Sequence, residues 1–339
     1  MTRLPNDLPG DPPNDPPPII QALDIEPPKT GSKLRALAEL FRLPNLFTAM
    51  ADIFLGFLFT HADFQPWAAF ALLLAASCLM YTAGMVLNDV FDRDVDARER
   101  PGRPIPSGRI SVALARRLGF GMLIAGGGLG WAAGLLEGQL RSGLTATALA
   151  VAVLAYDWLL KRTPLAPLAM GACRLLNVLL GMSAAAGPWR PLHLAVAAGL
   201  GIYIAGVTWF ARTEARQSSR WRLALGTAVI VAGIAVLGAM PAFVTADLEL
   251  VSLPRFALAA GKNWAFFWIM MAVLVSWRCL LAVMDPAPFR VQSAVKHCLR
   301  SLIILDAMAC VAVRGAWPGG AIILLLLPMM FLGRRLYTT

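Results

Sequence analysis

Charge is scarce in this chain of 339 residues, because only 15% of them are Asp, Glu, Lys or Arg whereas 58% are hydrophobic. An ordinary soluble domain has roughly 25% charged residues, so the composition excludes that class. Histidine and cysteine are also scarce, with three and five residues. The cysteines form no CxxC pair and the histidines are scattered, so we expect neither a redox centre nor a histidine metal site.

Long runs without charge recur along nearly the whole chain. A helix needs roughly 20 mostly apolar residues to cross a membrane, so the sequence predicts an all-α, polytopic transmembrane helical bundle. The ten candidate spans, of which the last two are shorter, are 44–62, 67–87, 112–134, 143–160, 165–187, 192–211, 222–244, 264–284, 299–313 and 317–333.

Basic residues are distributed unevenly among the loops. Most of the 30 Lys and Arg residues lie near the two termini and in every second loop, and such loops stay on the cytoplasmic side. We therefore expect an integral protein of the bacterial inner membrane, with both termini and the loop after the second span in the cytoplasm. Topology and anionic membrane lipids explain the net charge of +10, so we expect no nucleic-acid partner.

The N-terminal region differs from the rest because it is rich in proline and lacks the apolar core of a secretory signal. Residues 1–30 are predicted to form a disordered cytoplasmic tail. Residues 31–339 are predicted to form one transmembrane domain. It would begin with a short interfacial helix over 32–43, where leucines recur at helical spacing.

The densest group of acids follows the second candidate span, in 88-NDVFDRDVDARERPGRPIPSGRIS-111. On one continuous helix, Asp94 would point away from a face shared by Asn88, Asp89, Asp92 and Asp96. Carboxylates this close repel one another unless a cation lies between them, and Mg²⁺ prefers oxygen ligands together with substrate phosphates. The pattern indicates Mg²⁺ that bridges to a polyphosphate, and a solvated loop of mixed charge is the alternative.

This run resembles the first aspartate motif of the UbiA superfamily of intramembrane prenyltransferases, NDxxDxxxD followed by RPxRPIPSG. The resemblance implies nine transmembrane helices, or ten with the extra run here, around a central cavity that opens to lipid. In it, Mg²⁺ activates a prenyl diphosphate whose prenyl group passes to a lipophilic acceptor, expected to be aromatic. Carried over to this chain, it implies Mg²⁺ binding by Asn88, Asp89, Asp92 and Asp96, and catalysis by the three aspartates together with Lys161.

Further residues are candidates for binding the diphosphate. The loop 156-YDWLLKRTP-164 is similar to a lysine loop of the family that contacts diphosphate, although the spacing from Tyr156 to Lys161 is one residue longer. Asp157 replaces a proline of that loop and would either bind metal or pair with Lys161. Arg174 lies inside a span, where it would bind the diphosphate or an acidic acceptor, or form an ion pair with Asp157 or Asp306. The other candidates nearby are Arg42, Asn45 and Arg103.

The chain departs from the family pattern after the sixth span, where a second aspartate motif would supply more metal ligands. The segment 208-TWFARTEARQSSR-220 keeps only Glu214 as an acid. Arg212 and Arg216 would then contact the diphosphate directly, or would serve only as topological anchors. This departure resembles a divergent, EboC-like branch. It leaves a second hypothesis open, a transporter or lipid-handling protein that kept the scaffold without prenyl transfer.

Overall fold

A computed structural model describes residues 33–212, 219–244 and 261–336. Helices account for almost all of these residues, and none of them lies in a β-strand, so the predicted all-α fold is confirmed. The predicted tail, residues 1–30, lies outside the described ranges. The helices are α1 Lys33–Leu40, α2 Leu43–Thr60, α3 Trp67–Phe91, α4 Arg93–Glu99, α5 Val112–Leu136, α6 Arg141–Leu154, α7 Ala166–Gly181, α8 Pro191–Ala211, α9 Arg220–Gly238, α10 Gly261–Met284, α11 Pro288–Arg314, α12 Ala316–Ile323 and α13 Leu326–Leu336.

Each of the ten candidate spans is helical. Within the described ranges, eight helical segments are long and apolar enough to cross a membrane, and the last of them runs through α12 and α13. The other two candidates are α7, with 16 residues, and α11, which has 27 residues but carries several charges. The predicted transmembrane bundle is therefore confirmed as a fold, whereas its central cavity and its orientation stay predictions.

Successive long helices pack side by side. From α3 to α11, each long helix packs against the next one in the chain, and only the short α4 is left out of this series. Helix α11 packs against α2. Helix α2 also packs against α7, and the two backbones meet at Gly56 and Gly181. A Cβ atom at Gly56 would lie 3.0 Å from the Cα atom of Gly181, so small residues are required at this crossing. Helix α2 thus connects the two ends of the helical series.

The charge pattern predicts the side on which the C-terminus lies. Ten spans return the chain to the side of the aspartate motif, so a C-terminal reporter that works only in the cytoplasm should be active. A reporter that works only outside the cytoplasm should be silent at the same position. If the second reporter is active instead, α12 and α13 do not complete a crossing and the ten-span topology is wrong.

Candidate active site

The acidic motif occupies the end of α3 and the whole of α4. Helix α3 ends at Phe91, and Asp92, with φ −92° and ψ 2°, separates it from α4. The single continuous helix expected from the sequence is therefore wrong. Acids are favourable in the first turn of a helix, and the break places Asp94 and Asp96 in the first turn of α4, while Asp89 stays in the last turn of α3.

The aspartates around the break still differ in exposure, as the sequence indicated. The side chains of Asp89 and Asp96 are only 5% and 7% exposed, whereas that of Asp94 is 79% exposed. Asp92 is intermediate, with 18% of its side chain exposed. Burial of a carboxylate is costly unless a cation or hydrogen-bond donors face it, so the partners of the three less exposed aspartates define the site.

Two arginines face the buried acids. Arg42 Nη2 donates to Asp89 Oδ1 at 2.9 Å. Arg103 Nη1 donates to the same oxygen at 3.2 Å and to Asp96 Oδ2 at 2.6 Å. One guanidinium therefore joins two aspartates from different helices, and it comes from the turn after α4 that the sequence motif shares with the family.

Helix α1 packs against the turn that carries Arg103. This helix buries Ala36 and Leu40 in a small apolar cluster that includes Ile105 and Ile110. Beside the cluster, Arg109 Nη1 lies 2.7 Å from Glu39 Oε2. The predicted short helix before the first span is thus present, and its apolar face packs on the turn of the site.

Lys161 reaches the site from the loop after α6. Its Nζ atom forms an ion pair with Asp92 Oδ2, and Arg162 Nη2 lies 3.5 Å from the other oxygen of the same carboxylate. Residues Ala155–Leu160, immediately before Lys161, form a π-helical turn. A π-turn accommodates an extra residue within a helix. The turn lies where the spacing between Tyr156 and Lys161 is one residue longer than in the family loop.

Asp157 is buried beside the motif. Asn88 Nδ2 donates to its Oδ1 atom at 3.2 Å. The expected alternative that Asp157 pairs with Lys161 is wrong, because Lys161 pairs with Asp92 instead. The second oxygen, Oδ2, is buried and finds no hydrogen-bond donor in the described part of the chain. A buried oxygen of this kind calls for a donor or a cation, so metal binding by Asp157 stays open.

The donor set fits Mg²⁺, because every candidate ligand supplies oxygen. Among the described residues, however, no three His, Cys, Asp or Glu side chains converge on one metal position. The acids face arginines and a lysine instead. Since Mg²⁺ usually takes only one or two protein carboxylates and completes its shell with substrate phosphates and water, these residues suit an ion that arrives with a diphosphate. The unpaired Asp157 Oδ2 is an additional candidate ligand.

Arg42 adopts a strained backbone conformation at the start of α2. Its φ of 47° and ψ of 46° lie in the left-handed region, which costs a non-glycine residue roughly 1–2 kcal/mol. Strain of this kind clusters at functional sites, and the Arg42 side chain reaches Asp89. Asn45, one turn later, is half-buried, and its predicted role in diphosphate binding stays a prediction.

Arg174 has partners of its own deeper in the bundle. Its Nε atom lies 2.9 Å from Asp52 Oδ2, and its Nη2 atom lies 3.9 Å from Asp306 Oδ2. Nη2 also donates to the Thr48 carbonyl at 2.8 Å. Of the two ion pairs expected for Arg174, the one with Asp306 is present and the one with Asp157 is not. Its role in diphosphate binding stays a prediction, and no described contact joins it to the aspartate motif.

Asp52 was missed by the sequence interpretation. It follows Arg42 by ten residues in α2 and therefore lies about 15 Å further along the helix. Its carboxylate also accepts from Asn177 Nδ2 at 2.7 Å, and Ser77 Oγ donates to Asn177 Oδ1 at 2.7 Å. The signal that could have found it is its position inside a span, because ionisable residues there are rare and usually paired.

The second motif is only partly described. Arg212, at the end of α8, donates from Nη2 to the Thr163 carbonyl at 3.0 Å. Thr163 follows Lys161 by two residues, so Arg212 lies beside the loop that supplies the lysine of the site. Glu214 and Arg216 lie outside the described residues, and their predicted roles stay predictions.

The fold and the site together define a polytopic membrane protein in which acids and cations meet at one end of a helical bundle. Residues 49–289 match the UbiA prenyltransferase family. The chain belongs to this family, as its first aspartate motif indicated. Its assignment to an EboC-like branch stays a prediction.

Named relatives share part of their length with this chain. Digeranylgeranylglyceryl phosphate synthase of Methanopyrus kandleri is 35% identical over 162 residues, which are 46% of this chain and 57% of that protein. The enzyme of the same name from Sulfolobus acidocaldarius is 37% identical over 94 residues, 27% of this chain and 34% of that protein. The chain thus matches 57% of the length of the first relative and 34% of the second. Both are archaeal and lend no support to the expected bacterial membrane.

Solved structures share the fold. One comes from a study of digeranylgeranylglyceryl phosphate synthase in membranes, with a TM-score of 0.60, 18% identity, and coverage of 84% of this chain and 99% of that one. Another is a UbiA homologue from Archaeoglobus fulgidus bound to GPP and Mg²⁺, with a TM-score of 0.59, 13% identity, and coverage of 85% and 99%. Identities this low establish a common fold only.

Proposed function

We propose that this protein transfers a prenyl group from a prenyl diphosphate to a hydroxyl group of a glyceryl phosphate lipid, with Mg²⁺ as cofactor. The observation that carries the proposal is the pairing of less exposed aspartates with cations at one end of the bundle: Asp89 with Arg42 and Arg103, Asp96 with Arg103, and Asp92 with Lys161. Such a site offers carboxylates to a metal and cations to a diphosphate.

The nature of the acceptor follows from the relatives rather than from the sequence motif. The named relatives make a glyceryl phosphate that carries two prenyl groups, by their name, and this supports a glyceryl phosphate acceptor over the aromatic one expected at first. Donor and acceptor would then both have a phosphate head and an apolar tail. Both suit a site where charged side chains meet a membrane-spanning bundle.

The reaction breaks the bond between the allylic carbon of the prenyl group and the diphosphate oxygen, and the diphosphate leaves with the electron pair. The acceptor hydroxyl oxygen forms the new ether bond and transfers its proton to the departing diphosphate. Bound Mg²⁺ would stabilise the negative charge of the departing diphosphate. Arg42, Arg103 and Lys161 would add fixed positive charge to the same oxygens. The apolar surroundings of the bundle would keep water away from the allylic cation.

Arg42 allows its charge and its backbone strain to be tested separately. Arg42→Ala and Arg42→Gly both remove the guanidinium, whereas only glycine relaxes at φ 47°. We expect both variants to bind prenyl diphosphate at least about tenfold more weakly, because a charge-assisted hydrogen bond contributes roughly 1.5–3 kcal/mol. The glycine variant should be the more stable of the two in thermal unfolding. If the wild type and both variants bind the diphosphate equally well, Arg42 pairs with Asp89 but does not bind the diphosphate.

The arginines of the degraded second motif provide another prediction. The double change Arg212→Gln and Arg216→Gln should weaken prenyl diphosphate binding at least about a hundredfold, because two charge-assisted contacts are lost at roughly 1.5–3 kcal/mol each. The matched control is Arg220→Gln with Arg222→Gln, which removes the same charge from exposed positions at the start of α9. If both double variants bind like the wild type, Arg212 and Arg216 are topological anchors only.

Acceptor choice can be tested with the purified full chain in lipid nanodiscs. Geranylgeranyl diphosphate and Mg²⁺ are supplied together with geranylgeranylglyceryl phosphate, with a hydroxybenzoate, or with neither, and products are identified by mass spectrometry. We expect the doubly prenylated glyceryl phosphate. A prenylated hydroxybenzoate alone would restore the aromatic acceptor. Binding of prenyl diphosphate without any product would favour the transporter or lipid-handling hypothesis.

A further inference from the structure

A second cation-rich site lies between α10 and α11 and shares no residue with the aspartate site. It is an open surface pocket of about 350 Å³. Its lining includes Arg278 near the end of α10 and, from the first four turns of α11, Phe289, Ser293, Lys296, His297 and Arg300. No acid is among the lining residues.

Within the described ranges, no acid balances the positive charge of this pocket. Arg278 Nη1 donates to Ser293 Oγ at 2.8 Å, a neutral partner that fixes the guanidinium on the pocket wall. Lys296 and Arg300 make no ion pair with any residue in the described ranges. Nearby Arg290 differs, because it lies 3.0 Å from Asp285. Three cations that converge on one concave surface without an acid form a site for an anion.

Topological anchoring alone does not account for this arrangement. A basic residue that only follows the positive-inside rule can point anywhere in the interfacial layer, whereas these cations line one cavity. His297 Nε2 lies 3.0 Å from the Leu274 carbonyl, where it donates, and so ties the first turns of α11 to α10. The cavity therefore has one fixed wall on each helix, which suits a ligand of defined shape.

The surface beside the pocket is apolar. Helix α10 exposes Leu274, Trp277 and Met284 by 53%, 59% and 70%, and Phe289 on the pocket rim is 66% exposed. Since residues 263–284 of α10 form a candidate membrane span, this face meets lipid chains. A basic cavity that opens beside a lipid-facing surface matches a ligand with an anionic head and apolar chains, whereas free phosphate would use only the cavity.

We propose that the pocket between α10 and α11 binds the phosphate headgroup of an anionic phospholipid, whose acyl chains lie along the exposed apolar face of α10. Arg278, Lys296 and Arg300 contact the headgroup. The proposal is independent of the prenyl transfer reaction, because it uses no residue of the aspartate site. Phosphatidylglycerol is a suitable probe, and zwitterionic phosphatidylcholine is its neutral counterpart.

The test is native mass spectrometry of the purified full chain, titrated with either lipid. We expect phosphatidylglycerol to bind in preference to phosphatidylcholine, and Lys296→Gln with Arg300→Gln to weaken that binding roughly thirtyfold. Both side chains are exposed, so the variant should fold. The matched control, Arg116→Gln with Arg117→Gln, removes two exposed charges from α5 and should bind phosphatidylglycerol like the wild type.

Two results would overturn the proposal. Equal loss of phosphatidylglycerol from the control variant would mean that general surface charge, and not the pocket, attracts the lipid. Displacement of phosphatidylglycerol by an equal concentration of inorganic phosphate would show a free-anion site that does not use acyl chains. Neither result bears on the proposed prenyl transfer, because prenyl diphosphate binding is measured separately on the same variants.

Discussion

Arg174→Gln should destabilise the folded bundle by about 3–5 kcal/mol, the cost of removing one partner from a buried ion pair. The reason is that Asp52 and Asp306 are both fully buried, with 0% exposure, and Arg174 faces both of them. Glutamine keeps part of the hydrogen bonding to Thr48 but leaves two carboxylates without a cation. Unfolding of the purified protein in detergent, followed by circular dichroism, measures the loss.

Asp306→Asn is the matched control for this prediction. Arg174 lies 2.9 Å from Asp52 but 3.9 Å from Asp306, so Asp306 is the weaker of its two partners. Changing Asp306 to the isosteric Asn should therefore cost less stability than removing the guanidinium. If Asp306→Asn is as destabilising as Arg174→Gln, Asp306 contributes as much to the cluster as Arg174 does and the ranking of the two partners is wrong. If Arg174→Gln leaves stability unchanged but weakens diphosphate binding, Arg174 binds substrate as the sequence suggested.

Asp92→Asn and Asp89→Asn should each lower Mg²⁺-dependent prenyl transfer at least about a hundredfold, the typical cost of losing one group that stabilises developing charge. Asparagine keeps the shape of the side chain but supplies no negative charge to a metal. The protein should stay folded, because the partners of these acids, Lys161 and Arg42, are themselves partly exposed and can be solvated. Transfer rates at increasing Mg²⁺ concentration measure the effect.

Asp94→Asn is the control in the same motif. Its side chain is 79% exposed, and its ion pair is with the adjacent Arg93, at 3.3 Å. The variant should transfer prenyl groups at the wild-type rate and with the same Mg²⁺ dependence. An essential Asp94 would contradict the division of the motif into buried and exposed aspartates.

The helices were predictable because each follows from a local property, the length of an apolar run. The aspartate motif was recognisable for a similar reason, since its residues lie close together in sequence. The continuous helix through the motif was wrong because helix periodicity alone does not show where a helix is interrupted. The interruption at Asp92 places Asp94 and Asp96 in the favourable first turn of a new helix.

The partners of the charged residues were not predictable from local sequence. Arg42 pairs with an aspartate 47 positions away, and Arg212 donates to a carbonyl 49 positions away. Such contacts depend on which helices become neighbours in the fold. In the local sequence, a basic loop residue that anchors a span cannot be distinguished from one that lines a site. Asp52 and Arg174 meet for the same reason, through the packing of α2 on α7.

The most direct test of the central claim is equilibrium binding of geranylgeranyl diphosphate to the purified full chain, measured by calorimetry in nanodiscs with Mg²⁺ and again with a chelator. It needs no knowledge of the acceptor. We predict binding that requires Mg²⁺, is lost in Asp92→Asn and is retained in Asp94→Asn. Failure of the wild-type protein to bind this or any shorter prenyl diphosphate in the presence of Mg²⁺ would contradict the proposed prenyl transfer and leave the transporter or lipid-handling hypothesis in its place.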